Sequence, residues 1–182
     1  MAVSTLSDAL TLTIIAGRDL SSRDRAAVID RCSRAFEMDF AALFNTFNDP
    51  IHVLAKLDGV LVSHALWVTR WLQAGNGPLL RTAFVEAVAT DPEYQGRGFA
   101  TQVMHTLQAA LVDYDLAGLS TGRPGFYARL GWQSWRGSLF VRTEVGPLAT
   151  PSDSVMVLLL PRTPPLDLTG PLSAEWRVGE LW

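Results

Sequence analysis

One short stretch of the chain concentrates the residues best suited to do chemistry. It reads Phe84-Val85-Glu86-Ala87-Val88-Ala89-Thr90-Asp91-Pro92-Glu93-Tyr94-Gln95-Gly96-Arg97-Gly98-Phe99-Ala100. Its apolar first half predicts a strand, and the spacing that begins near Phe99 predicts a helix, so Gln-Gly-Arg-Gly is the turn between them. Such a turn aims unpaired backbone N–H groups at one point, and the helix dipole favours negative charge there. Glycines at 96 and 98 let a pyrophosphate approach the backbone closely. No Gly-Lys-Ser/Thr follows, so this is not a Walker P-loop. The third glycine of the dinucleotide fingerprint is also missing, and no βαβ unit is evident. The residues alone point to a phosphate or nucleotide-like cofactor at a helix N-terminus; a glycine turn without a ligand has the same spacing. Glu86 is the second feature. A carboxylate that interrupts an apolar strand is costly unless it is paired or used, the plain alternative being a solvent-facing strand residue.

The elements that must hold these groups can be read on either side. Ala9 to Ile15 alternates as a strand, and Ser21 and Ser22 are N-cap residues for a helix to Phe36 with Asp24 in its first turn. Ile51 to Leu57 and Val60 to Val68 flank Asp58-Gly59, the favoured chemistry for a tight hairpin. Gly75-Asn76-Gly77-Pro78 marks a second turn, and Leu79 to Thr90 is a strand closed by Asp91-Pro92. Phe99, Val103, Leu107 and Leu111 give one apolar face to a helix from Arg97 to Asp113. Leu116 to Ser120 predicts a short strand and Phe126 to Leu130 a short helix ended by Gly131. Strands near Ser138 to Thr143 and Val155 to Leu160 precede a Pro-rich crossing. The order implies an α/β (α+β) fold with a mixed, mostly antiparallel central sheet flanked by helices, as one domain over residues 1–182.

Composition excludes several classes. With 182 residues, 48% of them hydrophobic and 18% charged, the chain can bury a substantial core and leaves little for charged tails. A net charge of −3 argues against a nucleic-acid binder. Lys56 is the only lysine and Cys32 the only cysteine, so neither an intrachain disulfide nor a cysteine metal cluster can form. His52, His64 and His105 have no metal spacing; His64 and His105 read as structural, Cys32 as core. The start, MAVSTLSDALTLTII, lacks the pattern of a signal peptide, and no apolar run is long enough to span a bilayer. The expectation is a soluble, cytoplasmic chain.

Gln95-x-x-Gly98-x-Ala100 resembles the Gln/Arg-x-x-Gly-x-Gly/Ala signature of the GNAT N-acetyltransferase superfamily. Phe126-Tyr127-Ala128-Arg129-Leu130-Gly131-Trp132 is similar to its second signature, a Phe-Tyr-x-x-x-Gly-Phe helix near the thiol. The resemblance implies acetyl-CoA, with its pyrophosphate on Gln95, Gly96, Arg97, Gly98, Phe99 and Ala100 and its pantetheine arm along Val88, Ala89 and Thr90. No metal is implied. Further features resemble the aminoglycoside 2′-N-acetyltransferases. They are Ala35-Phe36-Glu37-Met38-Asp39-Phe40, Phe84-Val85-Glu86-Ala87-Val88-Ala89, Gly118-Leu119-Ser120, Thr150-Pro151-Ser152-Asp153, and the last residues Glu175-Trp176-Arg177-Val178-Gly179-Glu180-Leu181-Trp182. The chain departs from that family over Phe44 to His52, at Thr121 to Gly125, and in having Glu180 for aspartate. These departures fall on the substrate side and leave the particular aminoglycoside open, a kasugamycin-like one included.

On this resemblance, Glu86 is the base that takes a proton from the substrate amine, and Tyr127 the acid beside the sulfur. Asp39, Asp153, Glu180 and the carboxylate of Trp182 receive cationic amines, with Ala87 and Ser120 also on the substrate side. Tyr127 could equally be an aromatic that only packs, and Asp153 a solvated turn residue. Trp67 and Trp71 fit core, dimer surface or a wall for the drug. The implied partners are a small aminoglycoside and a second copy of the chain, with no nucleic acid or membrane. The competing readings are the same fold acting on another small amine or a peptide N-terminus, and a cofactor-binding regulatory module without turnover.

Overall fold

Asp58-Gly59 turns the chain as its chemistry requires. In the computed structural model, which describes residues 9–182, φ is 49° at Asp58 and 80° at Gly59. Two positive φ values in a row match the twist of a tight hairpin, so β2 (Ile51–Leu57) returns directly as β3 (Val60–Ala74) with Leu57 opposite Val60. Beyond the Gly75 to Pro78 turn, β4 (Leu79–Thr90) runs back along β3. β1 (Leu10–Ala16) pairs antiparallel with β2, and α1 (Ser22–Phe36) starts where Ser21 caps it, accepting from the Asp24 N–H at 3.0 Å. The sequence read for a leader begins in residues 1–8, outside the described residues.

The remaining elements are α2 (Ala41–Phe44), α3 (Phe99–Ala109), β5 (Leu116–Ser120), α4 (Pro124–Ala128), β6 (Gln133–Ser134), β7 (Leu139–Thr143), β8 (Gly146–Ala149), β9 (Val155–Leu159) and β10 (Leu172–Glu175). α3 starts at Phe99 rather than Arg97 because Gly98 holds a left-handed φ of 82°, which no helical residue shares. α4 starts at Pro124 rather than Phe126, since a proline at the first helical position costs no hydrogen bond. The short elements α2, β6, β8 and β10 carry too few residues for a periodic signal.

The strands form a mixed sheet in the order β6-β9-β5-β4-β3-β10-β7-β8, with β2 and β1 added beside β3. β4–β5 and β10–β7 are parallel, and the other ladders are antiparallel. α3 packs Val103, Met104 and Leu107 against Val53, Ala65, Ala83 and Val85, all with exposures of 3% or less. Each of the larger side chains among them contributes roughly 1.5 to 3 kcal/mol on burial. α1 places Val28 and Cys32 on the opposite face, against Leu54 and Leu61. With both faces covered, β3 is buried from Leu61 to Val68 and mostly apolar there, Ser63 and His64 being the exceptions.

Two irregularities open the sheet. β4 pairs with β5 only from Thr82 to Val85, yet it continues to Thr90. Its register with β3 also slips: Leu66 faces Glu86 and His64 faces Ala89, so Ala87 and Val88 together oppose Ala65. This is a β-bulge, and Ala87 has a φ of 52°. After Val85, just before the bulge, β4 and β5 part, and a cleft lies between them.

Candidate active site

The cleft has a volume of about 970 Å³. One wall is Glu86 to Thr90 of β4, continuing into Tyr94, Gln95, Gly96 and Gly98 at the α3 N-terminus. Facing it are Ser120 to Arg123 after β5, with Phe126 and Tyr127 of α4. The end of α1, Phe40, Glu180 and Trp182 close the far end. Because β5 has left it, the edge of β4 at Val88 to Thr90 borders the cleft without a strand on that side.

The turn before α3 fits a phosphate. The first α3 bond runs from the Gln102 N–H to the Gly98 carbonyl at 3.1 Å, so the N–H groups of the preceding turn have no intrahelical partner. φ is 75° at Gly96 and 82° at Gly98, and a Cβ built at either would meet nothing within 4 Å. That open space, two glycines and a helix N-terminus make an anion cradle. Arg97 does not line the cleft; its guanidinium lies 5.4 Å above the Tyr94 ring and 5.2 Å above the Phe99 ring. Below the turn, the Asp91 carboxylate is 1% exposed and meets Arg31 at 2.9 Å and Arg34 at 3.1 Å.

Glu86 is not a solvent-facing strand residue. It lines the cleft with its side chain only 14% exposed, and its carboxylate accepts from the Arg177 guanidinium at 2.5 Å. Burial raises its pKa above the ordinary glutamate value. Arg177 and Arg70 pull against that rise, while Glu180 adds to it. Arg70 is itself 1% exposed and donates to the Leu181 and Glu175 carbonyls, both at 2.7 Å. These bonds tie the last residues onto β3. Burial lowers the Arg70 pKa to about 10, which leaves it cationic at neutral pH. Across the cleft, burial pushes Tyr127 up to about 12, so its hydroxyl keeps its proton. Its ring stands edge-on to Phe126 at 4.9 Å and to Trp132 at 6.2 Å.

The expected substrate residues divide. Ala87, Ser120, Glu180 and Trp182 line the cleft. Asp39 does not; its carboxylate accepts from the Ala41 N–H at 3.0 Å, at the first residue of α2. Asp153 lines a second cavity of about 430 Å³ beside Arg136 and Thr150. The Trp182 indole donates to the Thr150 hydroxyl at 2.8 Å and so bridges the linings of the two cavities. Trp67 is core, donating to the Tyr114 hydroxyl at 3.1 Å; Trp71 is exposed, and neither lines the cleft. Cys32 is fully buried, its thiol pushed up to about 12 by burial. Sequence reasoning missed Arg177 and Arg70. For Arg177 a signal was present, an arginine three residues before the candidate acid Glu180.

A cleft where two strands part, an anion cradle at its mouth, and a protonated phenol and a buried carboxylate in its lining fit an enzyme that holds a phosphate-bearing ligand. Residues 18–134 match the Acetyltransferase (GNAT) domain family. The chain is 33% identical to the aminoglycoside 2′-N-acetyltransferase of Mycolicibacterium fortuitum over 94% of its length and 92% of that protein. Among solved structures, YhbS of Escherichia coli in complex with CoA superposes with a TM-score of 0.62 at 19% identity, covering 92% of this chain and 91% of that one. ElaA of Escherichia coli gives 0.60 at 16% identity, covering 82% and 99%. The chain belongs to the GNAT acetyltransferase family and is an acyl-CoA-dependent N-acetyltransferase. Among the described residues no helix is long and apolar enough to cross a membrane, and no cluster of side chains is arranged to hold a metal.

Proposed function

We propose that the chain transfers the acetyl group of acetyl-CoA to the 2′-amine of an aminoglycoside, as the name of its Mycolicibacterium fortuitum relative describes, and so inactivates the drug. The observation that carries this reading is Glu86, a buried carboxylate at the point where β4 bulges into the cleft, with Glu180 and Trp182 beside the same space. Acetyl-CoA supplies an acyl thioester open to attack by an amine. The N–H groups of residues 95–100 hold its pyrophosphate, and the free edge of Val88 to Thr90 holds the pantetheine arm as a further strand. Glu86 takes a proton from the substrate ammonium, directly or through water, and its raised pKa brings it nearer to that task. Tyr127 gives a proton to the departing sulfur. Overall an ammonium and a thioester yield an amide, a thiol and one free proton.

The fact that Asp39 and Asp153 lie outside the cleft lining supports a second reading: a smaller, less cationic amine such as a kasugamycin-like sugar. A single panel separates the two. CoA release from acetyl-CoA is measured with aminoglycosides that carry or lack a 2′-amine, with kasugamycin and with a peptide amine. Turnover confined to drugs with a free 2′-amine is the expected result. Equal turnover with drugs lacking it, or turnover with kasugamycin or the peptide alone, overturns the first reading.

A further inference from the structure

Two histidines outside the cleft lining are buried behind its working edge. His52 on β2 and His64 on β3 are both fully buried, with His52 Nδ1 at 2.9 Å from His64 Nε2. His64 Nδ1 is 3.0 Å from the carbonyl oxygen of Ala87, the bulged residue. A carbonyl can only accept, so His64 Nδ1 carries a proton and donates it. Burial lowers the pKa of His64 to about 3 and of His52 to about 4, so both rings are neutral at physiological pH. A neutral ring with its proton on Nδ1 has a bare Nε2, so His52 Nδ1–H donates to it. The remaining atom, His52 Nε2, is then a bare acceptor, and it is buried with no partner among the described residues. One arrangement of protons satisfies the ring–ring and ring–carbonyl contacts together; the Cys32 thiol lies beside His64 Nδ1 at 3.8 Å.

The relay ends on a strained residue. Ala87 has a φ of 52°, and an L-residue in the left-handed region costs roughly 1 to 2 kcal/mol, so its surroundings must hold it there. The bulge separates Glu86 from Val88, and both border the cleft. Flattening the bulge by one residue would send every later side chain of β4 to the opposite face. We infer that His64, oriented by His52, is a positioning residue of this acetyltransferase: its Nδ1–H clamps the Ala87 carbonyl and thereby fixes the bulge that sets Glu86 and the Val88 to Thr90 edge toward the reacting groups. The inference rests on the proposed role of residues 86–90, and Phe44, stacked on the His52 ring at 5.8 Å, holds the relay from outside.

The test compares His64→Leu with His64→Asn. Leucine keeps the apolar volume but has no donor; asparagine is smaller but carries an N–H at the position of Nδ1. Packing alone ranks leucine above asparagine, whereas a clamp on the carbonyl ranks asparagine above leucine. The expected result is kcat lowered at least about tenfold in His64→Leu and less in His64→Asn, since a misplacement of about 1 Å can cost about a hundredfold in rate. CoA affinity by calorimetry falls less than kcat in both, because the pyrophosphate turn is untouched and only the pantetheine edge shifts with the bulge. Equal kcat in the two variants, or a higher value with leucine, overturns the inference. Nitrogen-15 shifts of the unaltered protein give a measurement that needs no variant. Both rings are expected as the neutral Nδ1–H tautomer, and an Nε2–H signal from either overturns the relay. Glu86→Gln separates this failure from that of the underlying reading: full activity there removes the base while leaving the tautomers as they are.

Discussion

Replacing Arg177 tests how the buried carboxylate is kept ready. Arg177→Met removes the guanidinium from Glu86 while keeping most of the aliphatic length. The pair is 19% and 14% exposed, so water screens it little. Burial already raises the Glu86 pKa, and Arg177 is the main influence opposing that rise. Without Arg177 the pKa climbs further, less Glu86 is ionised at neutral pH, and the acid limb of kcat/KM moves to higher pH. Charge-assisted hydrogen bonds contribute roughly 1.5 to 3 kcal/mol, and each 1.4 kcal/mol is a factor of ten. The acid limb is therefore expected to move up by about one to two pH units, with the activity lost on its acid side recovered as the pH is raised. Arg177→Lys retains a positive charge and should keep the limb near its original position. The assay is CoA release across a pH series with one fixed amine, so that titration of the substrate is common to all variants. If the acid limb of Arg177→Met coincides with that of the unaltered enzyme, Arg177 does not tune Glu86, and the carboxylate is not the titrating base.

Two further outcomes are expected. Gly98→Val forces a β-branched residue into a φ of 82° and fills the cradle at the α3 N-terminus, so CoA binding by calorimetry should fall by at least about a hundredfold; retained affinity would move the cofactor elsewhere. Asp91→Asn leaves Arg31 and Arg34 without their buried counter-charge and should cost about 3 kcal/mol, seen as a thermal midpoint lowered by about 6 to 12 °C; an unchanged midpoint would mean the ion pairs are neutral to stability.

What could be read from the sequence was whatever is decided within a few residues. The Asp58-Gly59 turn, the Ser21 cap and the glycine turn before α3 each depend on local backbone preferences, and each occurs where the residue types demand it. The acids of the substrate side were legible only as acids. Asp39 is turned onto the α2 N-terminus by an Ala41 N–H two residues away, and Asp153 belongs to the second cavity. Neither orientation has a periodic signature.

The arrangement around Glu86 was illegible for a different reason. Its partner Arg177 is 91 residues distant, and the His64 contact to Ala87 spans 23. The second of these contacts is made where β4 carries one extra residue against β3. The bulge turns the Ala87 carbonyl toward His64, and β4 leaves β5 just before it. Nothing in Ala87 itself announces a left-handed residue, since alanine is a poor choice for that conformation. The site is thus legible as a set of residue types, whereas its geometry follows from a register slip that only the paired strands define. Two buried histidines held neutral behind a strained alanine are the physical trace of that slip. Their depressed pKa values give the protein a stability that is present above about pH 6.5 and lost as the pH falls toward 3, where the unfolded chain would take up the protons these rings refuse.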